Sequence, residues 1–135
     1  MVSSVLMSIR PMYVEAILDG TKTVELRRRR PSFPAGTTVL IYATSPDKKV
    51  QGAFEVGGVL EGAPPDIWER VKDRAGLDRS TFDQYFAGSE MAYAIEVVRP
   101  RRTVPTPIAI RPPQSYQFLN PRHRRHKAVL SLAVA

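Results

Sequence analysis

The largely apolar stretches in this chain are short, the longest being Val39 to Ala43 and Ala128 to Ala135. Neither reaches the length that a bilayer-crossing helix needs. The fold therefore has to be assembled from brief strands and helices, and twelve prolines and eight glycines mark where they begin and end. Val5 to Ile9 reads as a strand. Arg10-Pro11 follows, with proline where it opens a helix without losing a needed hydrogen bond. Pro11 to Leu18 repeats apolar residues at helical spacing, and Gly20 stands beyond it as a stop. Thr23 to Arg27 then alternates, with Val24 and Leu26 on one face and Thr23, Glu25 and Arg27 on the other.

Thr37 to Ala43 is β-branched and aromatic, as a central strand should be. Val50 to Leu60 predicts another strand, which Gly52, Gly57 and Gly58 would bend or bulge. Asp66 to Ala75 predicts a helix capped by Asp66, ended by Gly76, and packed through Ile67, Trp68 and Val71. Ser80 to Phe86 predicts a second helix with Phe82, Tyr85 and Phe86 inward, and Met91 to Val98 a strand. Five prolines between Pro100 and Pro113 make that segment extended or edge-like. Ala128 to Val134 reads as the last strand. The pattern predicts a single α+β domain over residues 1–135, a small mixed barrel with short flanking helices.

Charge narrows the partners. Residues 1–96 carry 12 basic and 13 acidic side chains, while residues 97–135 carry 8 basic and none acidic. An excess confined to one segment suits a polyanion, because binding to phosphate chains is driven largely by counterion release. A solvated basic tail is the alternative. Without cysteine there is no disulfide framework and no thiolate metal site. The N-terminus does not read as a secretion signal. The expected setting is cytoplasmic, with no membrane partner. No helix-turn-helix is evident, so major-groove reading lacks an obvious element. Oligomeric state is not readable from these features.

The most specific segment is Gly20-Thr21-Lys22-Thr23-Val24-Glu25-Leu26-Arg27. It resembles the signature of the ASCH family, G-x-K-x-x-E-x-R. Leu6 to Pro11 and the helix after it, VLIYATS at Val39 to Ser45, Gly52, and RPPQSYQFL at Arg111 to Leu119 extend the likeness over residues 5 to 130. The resemblance implies a PUA-like barrel of about five or six strands with a cleft lined by the motif. It also implies a role in binding RNA or a nucleotide-like ligand, in RNA metabolism or regulation, and no cofactor. Some relatives act as ribonucleases or as amidohydrolases on a modified cytidine. In the amidohydrolase relatives a threonine nucleophile takes the place of Glu25, and an acid lies on the segment corresponding to Asp73-Arg74-Ala75-Gly76. Thr23 is out of position to replace that nucleophile, so deacylation by that route lacks its key group.

The side chains carry their own chemistry. Lys22 enters the strand on which Glu25 and Arg27 share a face. Two cationic donors suit a phosphate, and the carboxylate can accept from a base or a ribose hydroxyl. The same groups could do acid–base work, Lys22 and Glu25 acting as partners, since a desolvated lysine loses basicity. A surface ion pair is the plain alternative. Ser8 and Arg10 either reach the cleft mouth or, for Ser8, cap the helix. Tyr42 and Ser45 end the central strand and could contact a base or phosphate, or Tyr42 could be core. Arg28 and Arg30 read as solvated. Arg111-Pro112-Pro113-Gln114-Ser115-Tyr116 offers pocket-like polar groups or is a rigid loop closing the barrel. Arg122, Arg124 and Arg125, in the dense basic stretch Arg122 to Lys127, either grip backbone phosphate or form a solvated turn before the last strand. His123 and His126 lack carboxylate partners, so no metal is expected there.

Overall fold

The computed structural model describes residues 3–134. Its elements are β1 (Ser4–Ile9), α1 (Pro11–Leu18), β2 (Val24–Arg27), β3 (Thr38–Ala43), β4 (Lys49–Gly62), α2 (Pro64–Val71), α3 (Arg79–Tyr85), β5 (Ala92–Thr106), β6 (Tyr116–Phe118), α4 (Arg124–Leu130) and a 3-10 turn (Ser131–Val134). The strands make one sheet in the order β2-β5-β4-β3-β1-β6. β1 and β3 are parallel, from Ser4 opposite Thr38 to Ile9 opposite Ala43. A parallel pair needs a crossover, and α1 with β2 supplies it. The other pairings are antiparallel.

Both faces of the middle strands are covered, which explains the unbroken apolar runs of β1 and β3. On the inner face α1 presses Val14 and Ile17 onto Val5, Met7, Val39, Ile41, Phe54 and Ile95. On the outer face Val129 of α4 packs with Leu6, Leu40, Tyr42, Val50 and Leu119. A third cluster joins Val24, Leu26, Ala92 and Ala94 to Ile67, Trp68, Val71, Phe82 and Phe86 of the α2–α3 pair.

Glycine decides the path of β4. Its register against β5 shifts between Val50 and Gly52, Ala53 and Glu55, and Val56 and Val59. A Cβ at Gly52 would lie 2.6 Å from Leu18 Cδ2 and 2.8 Å from the Arg101 carbonyl oxygen. The bulges bend the strand so that the sheet curls into a half-barrel.

Four details differ from the pattern. Ala128 to Val134 is no strand: it spans the end of α4 and the 3-10 turn. The edge beside β1 is already occupied by β6, so this apolar segment covers the outer face instead. Pro100 and Pro105 lie within β5, not after it. β2 pairs only with Tyr93 to Glu96, so the later half of β5 has its sheet partner on the β4 side alone, where a missing N–H is tolerated. Asp66 does not cap α2. Both prolines fit the first turn, so the helix starts at Pro64 with Ala63 before it, and Asp66 sits inside that turn. α2 also ends at Val71, before Ala75. The side-chain cap belongs to α3, where Asp78 accepts from Thr81 N at 2.8 Å.

The edges of the curled sheet, β2 and β6, are not paired with each other. Side chains close that seam. Arg27 on β2 donates to the Ser8 carbonyl of β1 and to Ser115 Oγ, both at 3.2 Å. Ser32 N donates to Tyr116 Oη at 3.1 Å, and Phe33 meets the Tyr116 ring edge-on at 4.9 Å.

Candidate functional site

A cleft of about 390 Å³ opens at this seam, within the usual range for small-molecule sites, about 300–1,000 Å³. Its floor comes from the alternation in β2. Val24 and Leu26 are drawn into the cluster under α2 and α3, which leaves Glu25 and Arg27 facing the other way. Arg27 Nη2 stands 2.9 Å from Glu25 Oε2. Glu25 is 7% exposed and Lys22 only 1%. Lys22 Nζ donates to the Ala75 carbonyl at 2.6 Å and lies 5.0 Å from the centre of the Tyr13 ring. Burial pushes the Lys22 ammonium below its ordinary range; Glu25 opposes that shift and Arg27 adds to it. Arg27 Nε is buried without an acceptor.

The walls are aromatic and cationic. Tyr13 and Tyr85 both line the cleft, with the Arg28 guanidinium 4.6 Å from the Tyr85 ring centre. Arg28 is therefore exposed yet stacked, while Arg30 pairs with Glu61. Ser8 and Arg10 lie at the cleft. Ser8 is not a helix cap: its Oγ donates to the Pro113 carbonyl at 2.6 Å, and Arg10 occupies the cap position of α1.

Of the residues singled out in the sequence, the fold brings Ser8, Arg10, Lys22, Glu25 and Arg27 together. Tyr42 is on the outer face under α4, and Ser45 is exposed in the turn after β3. Arg111, Gln114 and Arg125 line a second concavity, whereas Arg122 and Arg124 are exposed outside it. Among the described residues, no group of three or more acids and histidines is placed to hold a metal.

Sequence pattern missed the parts that come from afar. Tyr13 and Tyr85 supply walls, and Ala75 with Gly76 holds the lysine. Gly76 adopts φ +68°, and a Cβ there would lie 2.8 Å from Lys22 Cβ. The segment at which some relatives carry an acid thus offers a carbonyl and a bare backbone, with Asp73 exposed. Thr23 accepts from Arg74 Nε at 3.1 Å. The only visible signal for Tyr85 was its helical spacing with Phe82, which reads equally well as core.

Comparison with known proteins bears on this geometry. The family model described as ASCH domain matches residues 7–101. An ASCH domain-containing ribonuclease of Zymomonas mobilis is 37% identical over 87 residues, 64% of this chain and 59% of that protein. By sequence the chain thus spans less than two thirds of that relative. The crystal structure of ASCH from Zymomonas mobilis superposes with a TM-score of 0.85 at 29% identity, covering 95% of this chain and 93% of that one. The large ribosomal subunit protein uL22 of Ureaplasma parvum serovar 3 is 26% identical over 92 residues, 68% of this chain but 30% of that protein. No helix among the described residues is long and apolar enough to cross a membrane.

Proposed function

Since the chain belongs to the ASCH domain family, we propose that its seam cleft takes one nucleotide of single-stranded RNA. The observation that carries this is the meeting of Lys22, Glu25 and Arg27 in one cleft that Tyr13 and Tyr85 also line. RNA sequence is read mainly from unstacked bases held against aromatic side chains and guanidinium planes. Tyr13, Tyr85 and Arg28 provide such surfaces. Arg27, with Arg10 at the mouth, offers charged donors to phosphate, and Glu25 accepts from a base amino group or a ribose hydroxyl.

A second reading is cleavage of the RNA held there. It is favoured by the name of the Zymomonas relative and by the lowered basicity of Lys22, which suits an acid–base partner of Glu25. One experiment addresses both. Labelled single-stranded RNA and matched DNA are titrated by fluorescence polarisation, and the RNA is then run on a gel. Salt-sensitive binding that prefers RNA, weakened by Glu25→Gln, supports the nucleotide site. Shortened RNA that disappears with Glu25→Gln supports cleavage. If Glu25→Gln leaves both binding and cleavage unchanged, the cleft is not the site.

A further inference from the structure

All of the excess positive charge lies beyond residue 96, yet the seam cleft uses none of those residues. Arg111 and Arg125 instead line a second, more open concavity of about 550 Å³, together with Gln114, Gln117, His123 and His126. Among the described residues, no acidic side chain lines it. Asn120 and Arg125 meet the two histidines through backbone N–H groups, Gln117 of β6 meets His126 through its amide, and Arg111 lines the same concavity.

Both imidazoles accept a backbone N–H at Nδ1. Asn120 N donates to His126 Nδ1 at 2.9 Å, and Arg125 N donates to His123 Nδ1 at 3.2 Å. A neutral ring that accepts at Nδ1 carries its proton on Nε2. Burial, with His123 beside it, holds His126 below the ordinary histidine range. His126 Nε2–H then faces Gln117 Nε2 at 3.5 Å. Two N–H groups converge without an acceptor between them. A turn of the amide could supply one from within, and an anion oxygen would supply one from outside.

Position links this concavity to the first. Ser8, which lines the seam cleft, donates through Oγ to the Pro113 carbonyl at 2.6 Å, and Pro113 lines the second concavity. We propose that the second concavity is a phosphate site, occupied by a backbone phosphate of the RNA strand whose nucleotide fills the seam cleft. Arg111 and Arg125 provide forked, charge-assisted donors, and His126 and Gln117 add neutral ones. This rests on the nucleotide reading of the seam, and it makes the ligand a strand, not a free nucleoside.

The test uses the full chain with two probes, an oligouridylate and pyrophosphate. The histidine Cε1–H resonances are followed by NMR, and RNA affinity is measured across a salt series. Both probes are expected to move the His123 and His126 signals. The double variant Arg111→Gln/Arg125→Gln, altered only at exposed side chains, should bind RNA about 10- to 100-fold more weakly. Its salt slope should fall by about 0.7, the share of one phosphate contact on a single strand. Histidine signals that move with neither probe overturn the site. Movement with pyrophosphate but not RNA, or a wild-type salt slope in the double variant, overturns the assignment to the strand. The two readings fail separately. If Lys22→Met and Glu25→Gln weaken RNA binding but the double arginine variant does not, only the phosphate site is lost. If the reverse holds, the seam reading is lost.

Discussion

At the scale of single residues, Lys22 is the most constrained. Its stem lies against the bare backbone of Gly76 and its ammonium is tied to the carbonyl of Ala75. Gly76→Ala would force a left-handed backbone on a residue with a Cβ, at a cost of about 1–2 kcal/mol, before any displacement of the lysine. The expected outcome is a lower thermal midpoint and weaker RNA binding together, read by calorimetry and polarisation. Burial also predicts a pH dependence. A lysine whose folded pKa lies below its ordinary 10.5 binds its proton more weakly when folded than when unfolded. Stability should therefore rise with pH between the folded and unfolded values. Wild-type protein should gain on Lys22→Met as the pH is raised from about 7 to 10, in paired urea denaturations. A constant gap would show that the amine does not feel its burial.

At the scale of elements, what could be read from the chain and what could not divide along local and distant causes. The alternation of Thr23 to Arg27 is local, and it placed Glu25 and Arg27 on one face. Pro11 and Gly20 are local too, and α1 starts and stops where they say. Residues 128–134 carry the same β-branched and apolar types as a strand. Only the occupation of the sheet edge by the three residues of β6 makes them a cover instead. Tyr85 reaches the cleft because Phe82 and Phe86 dock α3 onto β2 and β5. Phe82→Ala should thus cost about 3–5 kcal/mol in denaturant unfolding. It should also loosen the Tyr85 wall and weaken RNA binding beyond what unfolding explains. A variant that is destabilised but binds at wild-type strength when folded would mean that α3 does not shape the site.

At the scale of the whole molecule, the half-barrel is completed by side chains, Arg27 foremost among them. Arg27 spans from β2 to Ser8 and Ser115 while pairing with Glu25. Lysine keeps the charge but lacks the planar fork that makes these contacts at once. Arg27→Lys should therefore keep most of the fold and speed hydrogen exchange at β1 and β6, with β3 and β4 unchanged. Equal acceleration everywhere would mean that Arg27 supports global stability and not the seam.

That clasp has a consequence for how occupancy is felt. A phosphate entering the cleft competes for the guanidinium that joins the two margins, so gripping a ligand and keeping the barrel shut draw on the same donors. The bound protein should melt later as a whole while its margin breathes more freely, a divergence that comes from closing a sheet with side chains in place of a strand.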